Sequence, residues 1–427
     1  MGHFSDLAIQ EAESGINAAT IEGRRVCREC FADEHIRNEV SRAAEAQECD
    51  YCGAKGDAVE AAPLAGVVQF ILNQIDHEYA SADQSLPVDP DTKERMFPED
   101  EFDTRTMLEL HVDLQLPRDD DGSLMEDIAR ALPEQDWCLR DPLSVRDDEA
   151  IASSWEAFKR IVMHERRFFF LGHRDEALEY DLRWGEARYD PSELLEAIGR
   201  FARNHGLLAR MDRGTPWYRI QRMEPGEADF DARRMGPPPL EHAMLPNRMS
   251  PVGIPMFYGA AEKETALVEV AEEDDRYACA RFEILDDLMV LDVRQPPEVP
   301  SLFDPEHARD RAIAMFMRSF VEDFASPIDR ERRAHLDYLP TQVVTEYVRT
   351  MVTAEEDEPI SGVLYRSSRD GGDAVVLFAT TEAVAIEGDD TSGWLAMNGY
   401  EEIDHTIGGA EGAPDRDPAP PDTMAAS

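Results

Sequence analysis

Lysine is nearly missing from this chain. Only Lys55, Lys93, Lys159 and Lys263 occur in 427 residues, so the positive charge is carried almost wholly by arginine. It is also outweighed: 90 Asp and Glu stand against 43 Lys and Arg, a formal net charge of −47. A surface of that sign repels nucleic acid and anionic membranes, which excludes both as expected partners. No apolar run approaches the roughly 18 residues of a membrane span. The first residues, MGHFSDLAIQEAESG, have neither the basic start nor the apolar stretch of a signal peptide. The expected location is therefore cytoplasmic. Cysteine is scarce as well: of six, four fall in two close pairs, which suits a metal in a reducing compartment better than disulfides.

What is present limits the reading further. An acidic, lysine-poor composition is that of halophilic proteins, which work in concentrated salt where carboxylate repulsion is screened. Acidic disorder is excluded, because apolar residues make up 42% of the chain and aromatics run from Phe31 to Tyr400. The length has room for two or three domains.

The paired cysteines are Cys27 and Cys30 in CREC, and Cys49 and Cys52 in CDYC. Their C-x2-C-x18-C-x2-C spacing lies in the window for zinc. Two intervening residues let both thiolates of a pair turn onto one ion. Four thiolates then close a tetrahedron with no position open for water, so the site is expected to be structural. Gly53 fits the tight turn of a zinc knuckle. His35 lies between the pairs as a competing ligand, with solvent exposure the simpler expectation. Cys138 and Cys279 stand alone and are expected to be small core residues.

Downstream, apolar periodicity predicts helices over Pro63–Ile75, Thr104–Leu114, Leu124–Leu132 and Glu149–Arg167, with an acidic loop from Ser81 to Asp103. Trp137, Trp155 and Phe158 supply bulk for a core, and Phe168–Phe170 is expected to be buried between domains. A polar stretch to Asp190 reads as a linker, and Pro191 opens an amphipathic helix. Trp217–Arg222 predicts a strand, and Arg281–Val293 one or two more. Helices are predicted over Arg309–Phe324 and Leu339–Val352. Strands are predicted at Val363–Tyr365 and Ala374–Ala379, with Glu382–Ile386 extending the sheet or forming its edge.

The densest signal is NRMSPVGIPMFYGAAEKETALVEV, Asn247–Val270. Pro251 and Gly253 mark a turn, Ile254–Tyr258 reads as a strand closed by Gly259, and Thr265–Val270 as a helix. The polar groups that stand out are Arg248, Tyr258, Glu264 and Glu269. An arginine in a loop and a glutamate on a helix ordinarily belong to a solvated face. The ordered set Arg248, Pro251, Gly253, Tyr258, Ala266, Leu267 and Glu269, however, closely resembles the core signature of the RES domain. That family is named for an arginine, a glutamate and a serine. Its serine segment is matched by GVLYRSSRDGGDAVVLF, with Gly362, Tyr365 and Ser367, and its early arginine by Arg219 in WYRIQR. The Tyr-x-Ser spacing selects Ser367 over Ser368. Asn247 and Ser250 depart from the family pattern, which commonly has glycine and asparagine there. The segment DWCLRDPLSVRDDEAIASSWEAFKRIVMHERRFFFLG resembles the HEPN-associated domain that precedes RES domains in one branch, and the cysteine pairs belong to the same resemblance.

The resemblance implies an α+β chain: a zinc-knuckle region (1–60), a helical HEPN-associated domain (61–172), a linker (173–190), a mixed-sheet, ADP-ribosyltransferase-like RES domain (191–405) and a disordered tail (406–427). It further implies an enzyme that degrades NAD, with NAD and inorganic phosphate as substrates and phosphorolysis as the reaction. In that reading Glu269 faces an oxocarbenium-like ribose. Arg219 and Arg248 hold phosphates as fixed cationic forks. Tyr258 stacks on nicotinamide or ribose, and Ser367 binds a phosphate or positions Glu269. Ser367 has no base at a recognisable spacing and is not read as a nucleophile. Glu264, about 140° around the helix from Glu269, is expected to face solvent. Only three residues separate Arg160 from His164, too few for the HEPN ribonuclease pair, so RNA cleavage is not expected. NAD depletion suits a toxin or defence effector, with an antitoxin or regulatory protein as partner. ADP-ribosyl transfer to a macromolecule and an inactive zinc-bearing interaction module are the alternatives.

Overall fold

The structure is a computed structural model, described over residues 15–92, 95–97, 100–171, 176–271, 275–307, 310–325, 334–386 and 393–405. The N-terminal residues before Gly15 and the tail 406–427 lie outside the described residues. The chain divides into two compact units, one formed by 1–201 with 297–320 and the other by 202–296 with 321–427.

In the first unit, strand β1 (Arg25–Cys27) pairs antiparallel with β2 (Ala61–Pro63), and β3 (Tyr79–Ser81) with β4 (Trp137–Leu139). The helix Leu64–Glu78 starts directly after Pro63. Its Leu64, Val67, Val68, Ile71, Leu72 and Ile75 recur at helical spacing and are all buried. Each such side chain contributes about 1.5–3 kcal/mol on burial. The helix Ser123–Ala131 adds Leu124, Met125, Ile128 and Ala131 to the same core, as do Leu302 and Phe303 from the returning segment. Trp137, Trp155 and Phe158 are buried, as the sequence suggests.

Four predicted features of this unit differ. The helix expected over Thr104–Leu114 is one α-turn, Thr104–Thr106, followed by a π-turn, Met107–His111. It ends where Asp113 takes φ +52°, a conformation that Asp tolerates better than most residues. The Glu149–Arg167 helix is α-helical over Asp147–Arg160 and ends in a second π-turn, Ile161–Glu165. Past that turn only Phe170 turns inward, edge-on to Phe158 at 5.9 Å. Phe168 and Phe169 are 84% and 86% exposed rather than buried. Within the stretch read as a linker, Glu176–Trp184 is helical.

The second unit is built on a nine-stranded mixed sheet, ordered β12-β13-β8-β6-β7-β11-β10-β9-β5. The strands are β5 (Leu208–Met211), β6 (Pro216–Arg222), β7 (Phe257–Ala260), β8 (Asp275–Ile284), β9 (Leu288–Asp292), β10 (Gly362–Arg366), β11 (Asp373–Leu377), β12 (Val384–Ala385) and β13 (Leu395–His405). Only β9 with β10 and β12 with β13 are parallel; the other pairs are antiparallel. Alternation puts Trp217, Phe257, Phe282, Leu364, Val375 and Leu377 into one apolar cluster. Ile220, Ala260 and Cys279 join Ala266 of the helix Lys263–Val270 in another. Cys138 and Cys279 are buried singly, as expected.

Strand β7 begins three residues later than the sequence reading placed it. Pro255 has no N–H to give a ladder, so pairing starts at Phe257. Gly259 lies inside the strand instead of closing it. A Cβ there would come within 3.2 Å of Trp217 Cβ and 3.4 Å of the Tyr218 carbonyl, so glycine lets β7 approach β6. The eleven-residue β13 has no counterpart in the sequence reading, because its run of exposed polar residues shows no apolar alternation. Among the described residues, no helix is long and apolar enough to cross a membrane.

Candidate active site and candidate metal centre

Arg219 stands at the middle of β6. That strand pairs with β8 at seven positions but with β7 only through Tyr218 and Ala260. Where the two strands part, Arg219 Nη1 donates to the Tyr258 carbonyl at 2.9 Å, and its guanidinium carbon lies 5.2 Å from the Phe257 ring centre. Its Nε is buried with no hydrogen-bond partner. Burial pushes the guanidinium down to about 10, with Tyr258 opposing and Arg234 adding to the shift. No carboxylate pairs with Arg219 among the described residues. In a chain so rich in carboxylates, that is a cation kept from internal neutralisation.

Tyr258 directs its hydroxyl to Ser250 Oγ, 3.0 Å away, and receives the Met249 N–H at 3.4 Å. Burial raises the phenol to about 12 despite those bonds. The loop it touches carries Arg248. From the other side, Thr341 Oγ1 donates to the Arg248 carbonyl at 2.7 Å, and Gln342 Nε2 donates to the carbonyls of Asn247 and Ser250 at 2.8 and 3.3 Å. Thr341 and Gln342 are buried polar residues of the helix Leu339–Met351. The backbone at Arg248 is thus held from two directions, and the Arg248 side chain remains partly exposed.

Glu269 and Ser367 meet directly. The Ser367 hydroxyl donates to Glu269 Oε1 at 2.6 Å, and Ser367 is 3% exposed. Ser367 follows β10 and enters the turn to β11, where its N–H bonds the Gly372 carbonyl at 2.8 Å. Glu269 lies on the helix Lys263–Val270, partly exposed, while Glu264 faces solvent as expected. The five sequence-derived residues therefore fall into three contacts, the first two joined through Tyr258: Arg219 with the Tyr258 carbonyl, the Tyr258 hydroxyl with the loop of Arg248, and, separately, Glu269 with Ser367.

The sequence reading did not include Ser250, Thr341 and Gln342 as supports. A buried Thr-Gln pair on a helix is a weak signal, since it becomes informative only when the loop it caps is known. A groove of about 1070 Å³ in the N-terminal unit, lined by Ile16, Asp103, Arg105, Met125 and Arg130 among others, contains none of these residues.

The four cysteines converge. Cys27 Sγ lies 3.7 Å from Cys30 Sγ and 3.5 Å from Cys52 Sγ, and Cys30 Sγ lies 3.7 Å from Cys49 Sγ. All four sulfurs are within 4.8 Å of one another. Metal–sulfur bonds of about 2.3 Å give tetrahedral S···S edges of about 3.8 Å, so the set fits one tetrahedral metal. The Cys30 thiol, then backbone N–H groups of Cys52, Tyr51 and Cys27, hold the Cys49 thiol down at about 4 against burial, while burial lifts Cys27 to about 11. His35 is not part of this set. Its Nε2 lies 3.6 Å from Asp304, which also binds His307 Nδ1 at 2.8 Å. Arg160 pairs with Glu165 in the π-turn.

Two family models match the chain. The HEPN/RES N-terminal domain 1 model matches residues 42–176, and the RES domain model matches residues 216–397. No curated protein and no solved structure matches the chain.

Proposed function

The chain belongs to the RES domain family and carries a HEPN/RES N-terminal domain 1 ahead of its RES domain, and from that premise we propose that it degrades NAD by phosphorolysis. The observation that carries this reading is Arg219: a half-buried cation with a buried, unused Nε donor, no partner carboxylate among the described residues, and a place where β6 and β7 part. Burying a charge without a counter-ion is costly. An anionic ligand at that position offsets the cost, and the pyrophosphate of NAD or the attacking phosphate is such a ligand.

In the reaction, the bond between ribose C1′ and the nicotinamide nitrogen breaks, and nicotinamide leaves with the bonding pair. The ribose becomes oxocarbenium-like, and a phosphate oxygen forms the new bond to C1′. Glu269 supplies negative charge beside that centre or holds a ribose hydroxyl, and Ser367 fixes its carboxylate through Oε1. Arg219 and Arg248 bind phosphate oxygens. Tyr258 holds the Arg248 loop through its hydroxyl, leaving its ring to stack on nicotinamide or ribose. Zinc on Cys27, Cys30, Cys49 and Cys52 holds the knuckle as a structural ion. Loss of cellular NAD makes the protein a toxin or defence effector, and an antitoxin or regulatory protein is its natural partner.

The test is nicotinamide release from NAD by the purified protein in high salt, with and without inorganic phosphate. Release that rises with phosphate and yields a phosphorylated ADP-ribose is expected. Equal release without phosphate, with ADP-ribose as sole product, replaces phosphorolysis by hydrolysis. No release under either condition overturns the reading.

A further inference from the structure

The contact of Ser367 with Glu269 joins a β-hairpin to a helix, and one residue, Asp373, is bonded to the approaches of both. On the helix side, the Asp373 carbonyl accepts the Ala261 N–H at 2.9 Å. Ala261 is the second residue before Lys263, where the helix that carries Glu269 begins. On the hairpin side, Asp373 opens β11 directly opposite Arg366, the last residue of β10 and the neighbour of Ser367. Arg366 Nη1 lies 2.7 Å from Asp373 Oδ1, an ion pair without hydrogen-bond alignment. The same nitrogen donates to the Gly371 carbonyl at 3.2 Å. The Arg366 guanidinium therefore spans the turn that Ser367 enters.

Arg294 makes the pair a network. Two residues past β9, it takes Asp292 in a fork, Nε to Oδ1 at 2.9 Å and Nη2 to Oδ2 at 2.7 Å. Its remaining arm, Nη1, donates to Asp373 Oδ2 at 2.6 Å. The Arg294 carbonyl accepts Arg366 Nε at 3.4 Å, and the Val293 N–H bonds the Leu364 carbonyl at 2.9 Å. Two arginines and two carboxylates thus bind the ends of β9, β10 and β11 side by side. Isolated surface ion pairs contribute little, but a forked arginine inside a network has fixed geometry, and all four residues are half-buried. Alternation sets the side from which they act. Arg366 shares a sheet face with Leu364, and Asp373 with Val375 and Leu377, all of the larger apolar cluster. Ala374 opposes Ala260, which packs with Ala266 of the Glu269 helix on the other face. The network holds the hairpin from the face opposite that helix.

We propose that Arg294, Arg366 and Asp373 are positioning residues, a lock that holds the β10–β11 hairpin to the start of the helix Lys263–Val270 and so fixes the Ser367 hydroxyl on Glu269. They act through Ser367 and touch no reacting atom. Their role rests on the reading of Glu269 as the carboxylate beside the ribose, and the test separates the two.

Nicotinamide release from NAD is measured for Asp373→Asn, Arg294→Met, Arg294→Lys and Ser367→Ala, and for Asp373→Asn combined with Ser367→Ala. Asp373→Asn keeps the shape and the backbone carbonyl and removes the charge that two arginines share. Misplacement on the scale of an ångström costs up to about 100-fold. Asp373→Asn and Arg294→Met are therefore each expected to lower kcat by about 10-fold, with KM for NAD changed less than about 2-fold. Arg294→Lys keeps the charge but loses the fork; it is expected to recover part of the loss, and it serves if Arg294→Met does not fold. In the Ser367→Ala background, Asp373→Asn is expected to add little, because the hydroxyl it fixes is gone. Amide hydrogen exchange is measured in parallel. In Asp373→Asn it is expected to quicken over 259–270 and 366–372, while 276–284 of the same sheet keeps its wild-type rates. Full turnover in a folded Asp373→Asn, or losses that multiply with Ser367→Ala, overturns the lock. Exchange that quickens throughout the sheet makes the network a general support of the fold and overturns it as well. If the wild-type protein releases no nicotinamide, the NAD reading fails by itself; the exchange data still decide the lock, and unchanged rates over 259–270 and 366–372 overturn it.

Discussion

Ser367 and Glu269 lie 98 residues apart in the chain, yet the serine hydroxyl reaches the glutamate Oε1 at 2.6 Å. The contact joins the end of a β-strand to a short helix and leaves Glu269 partly exposed while Ser367 is buried. A buried donor on a partly exposed carboxylate fixes the direction in which that carboxylate points.

The fixed carboxylate sets the first expectation. Glu269→Gln keeps the shape and removes the charge beside the reacting ribose, a loss confined mainly to the transition state. Turnover should fall about 100-fold or more with KM nearly unchanged. Ser367→Ala leaves the charge and loosens its aim, so its loss should be smaller. Steady-state kinetics of nicotinamide release check both; near-normal turnover of Glu269→Gln would show that the carboxylate is misassigned.

Arg219 is expected to trade stability for binding. Its Nε is buried without a hydrogen bond, a cost that an anionic ligand would offset. Arg219→Met, of similar length and no charge, should therefore melt at the same temperature as the wild type or higher, while NAD or phosphate no longer raises its melting temperature. A clear drop in the unliganded melting temperature would make Arg219 a structural residue.

Tyr258 carries a pH signature. Its folded phenol titrates near 12, raised from 10 by burial. Between those values the unfolded chain releases the proton and the folded chain keeps it, so stability falls as pH rises through that window. Tyr258→Phe should remove up to about one proton from the slope there. Below pH 9 its effect should appear as a higher KM, because the hydroxyl holds the Arg248 loop. Urea unfolding at stepped pH reads the slope, and an identical slope in both proteins contradicts the burial of this hydroxyl.

How far the sequence could be read depends on where the information lies. Glu269 and Ser367 were legible because their flanking residues are local: Ala266 and Leu267 before one, Tyr365 before the other. Their contact was not legible as geometry, since it depends on the packing of the β10–β11 turn against a helix. Gly259 was read as a strand end because glycine commonly ends strands, whereas its task is to let Trp217 and Tyr218 approach. The strand β13 was missed because Glu401, Glu402 and Asp404 are held by charge, through Lys263 and Arg276, and leave no apolar trace. Phe168 and Phe169 were expected inside on hydrophobicity alone, which does not say which way an extended chain turns each ring.

The metal centre makes the fourth expectation. Purified protein should hold about one zinc per chain, and Cys49→Ser should lose it. Zinc binding by small cysteine and histidine sites is worth roughly 10–16 kcal/mol, so its loss should unfold the knuckle while the nine-stranded sheet persists. Metal analysis with circular dichroism decides this, and unchanged zinc content in Cys49→Ser sinks the shared site.

Salt provides the fifth. Screening shortens from about 10 Å at 0.1 M to about 3 Å at 1 M. With a net charge of −47, the melting temperature should climb steadily across that range. A flat or falling curve would contradict adaptation to concentrated salt.

The path of the chain through its two units has a practical outcome for anyone dissecting it. Residues 297–320 fall inside the RES domain match but belong to the first compact unit, where Leu302 and Phe303 join the core of the cysteine-bearing half. No single cut yields either half whole. A fragment starting near residue 202 would carry two large apolar side chains stripped of their neighbours, and a fragment ending there would have a gap in its core. Proteases that nick the chain once should leave a noncovalent complex, and domain-by-domain expression should give sticky, poorly folded products unless that segment is returned to the half it completes.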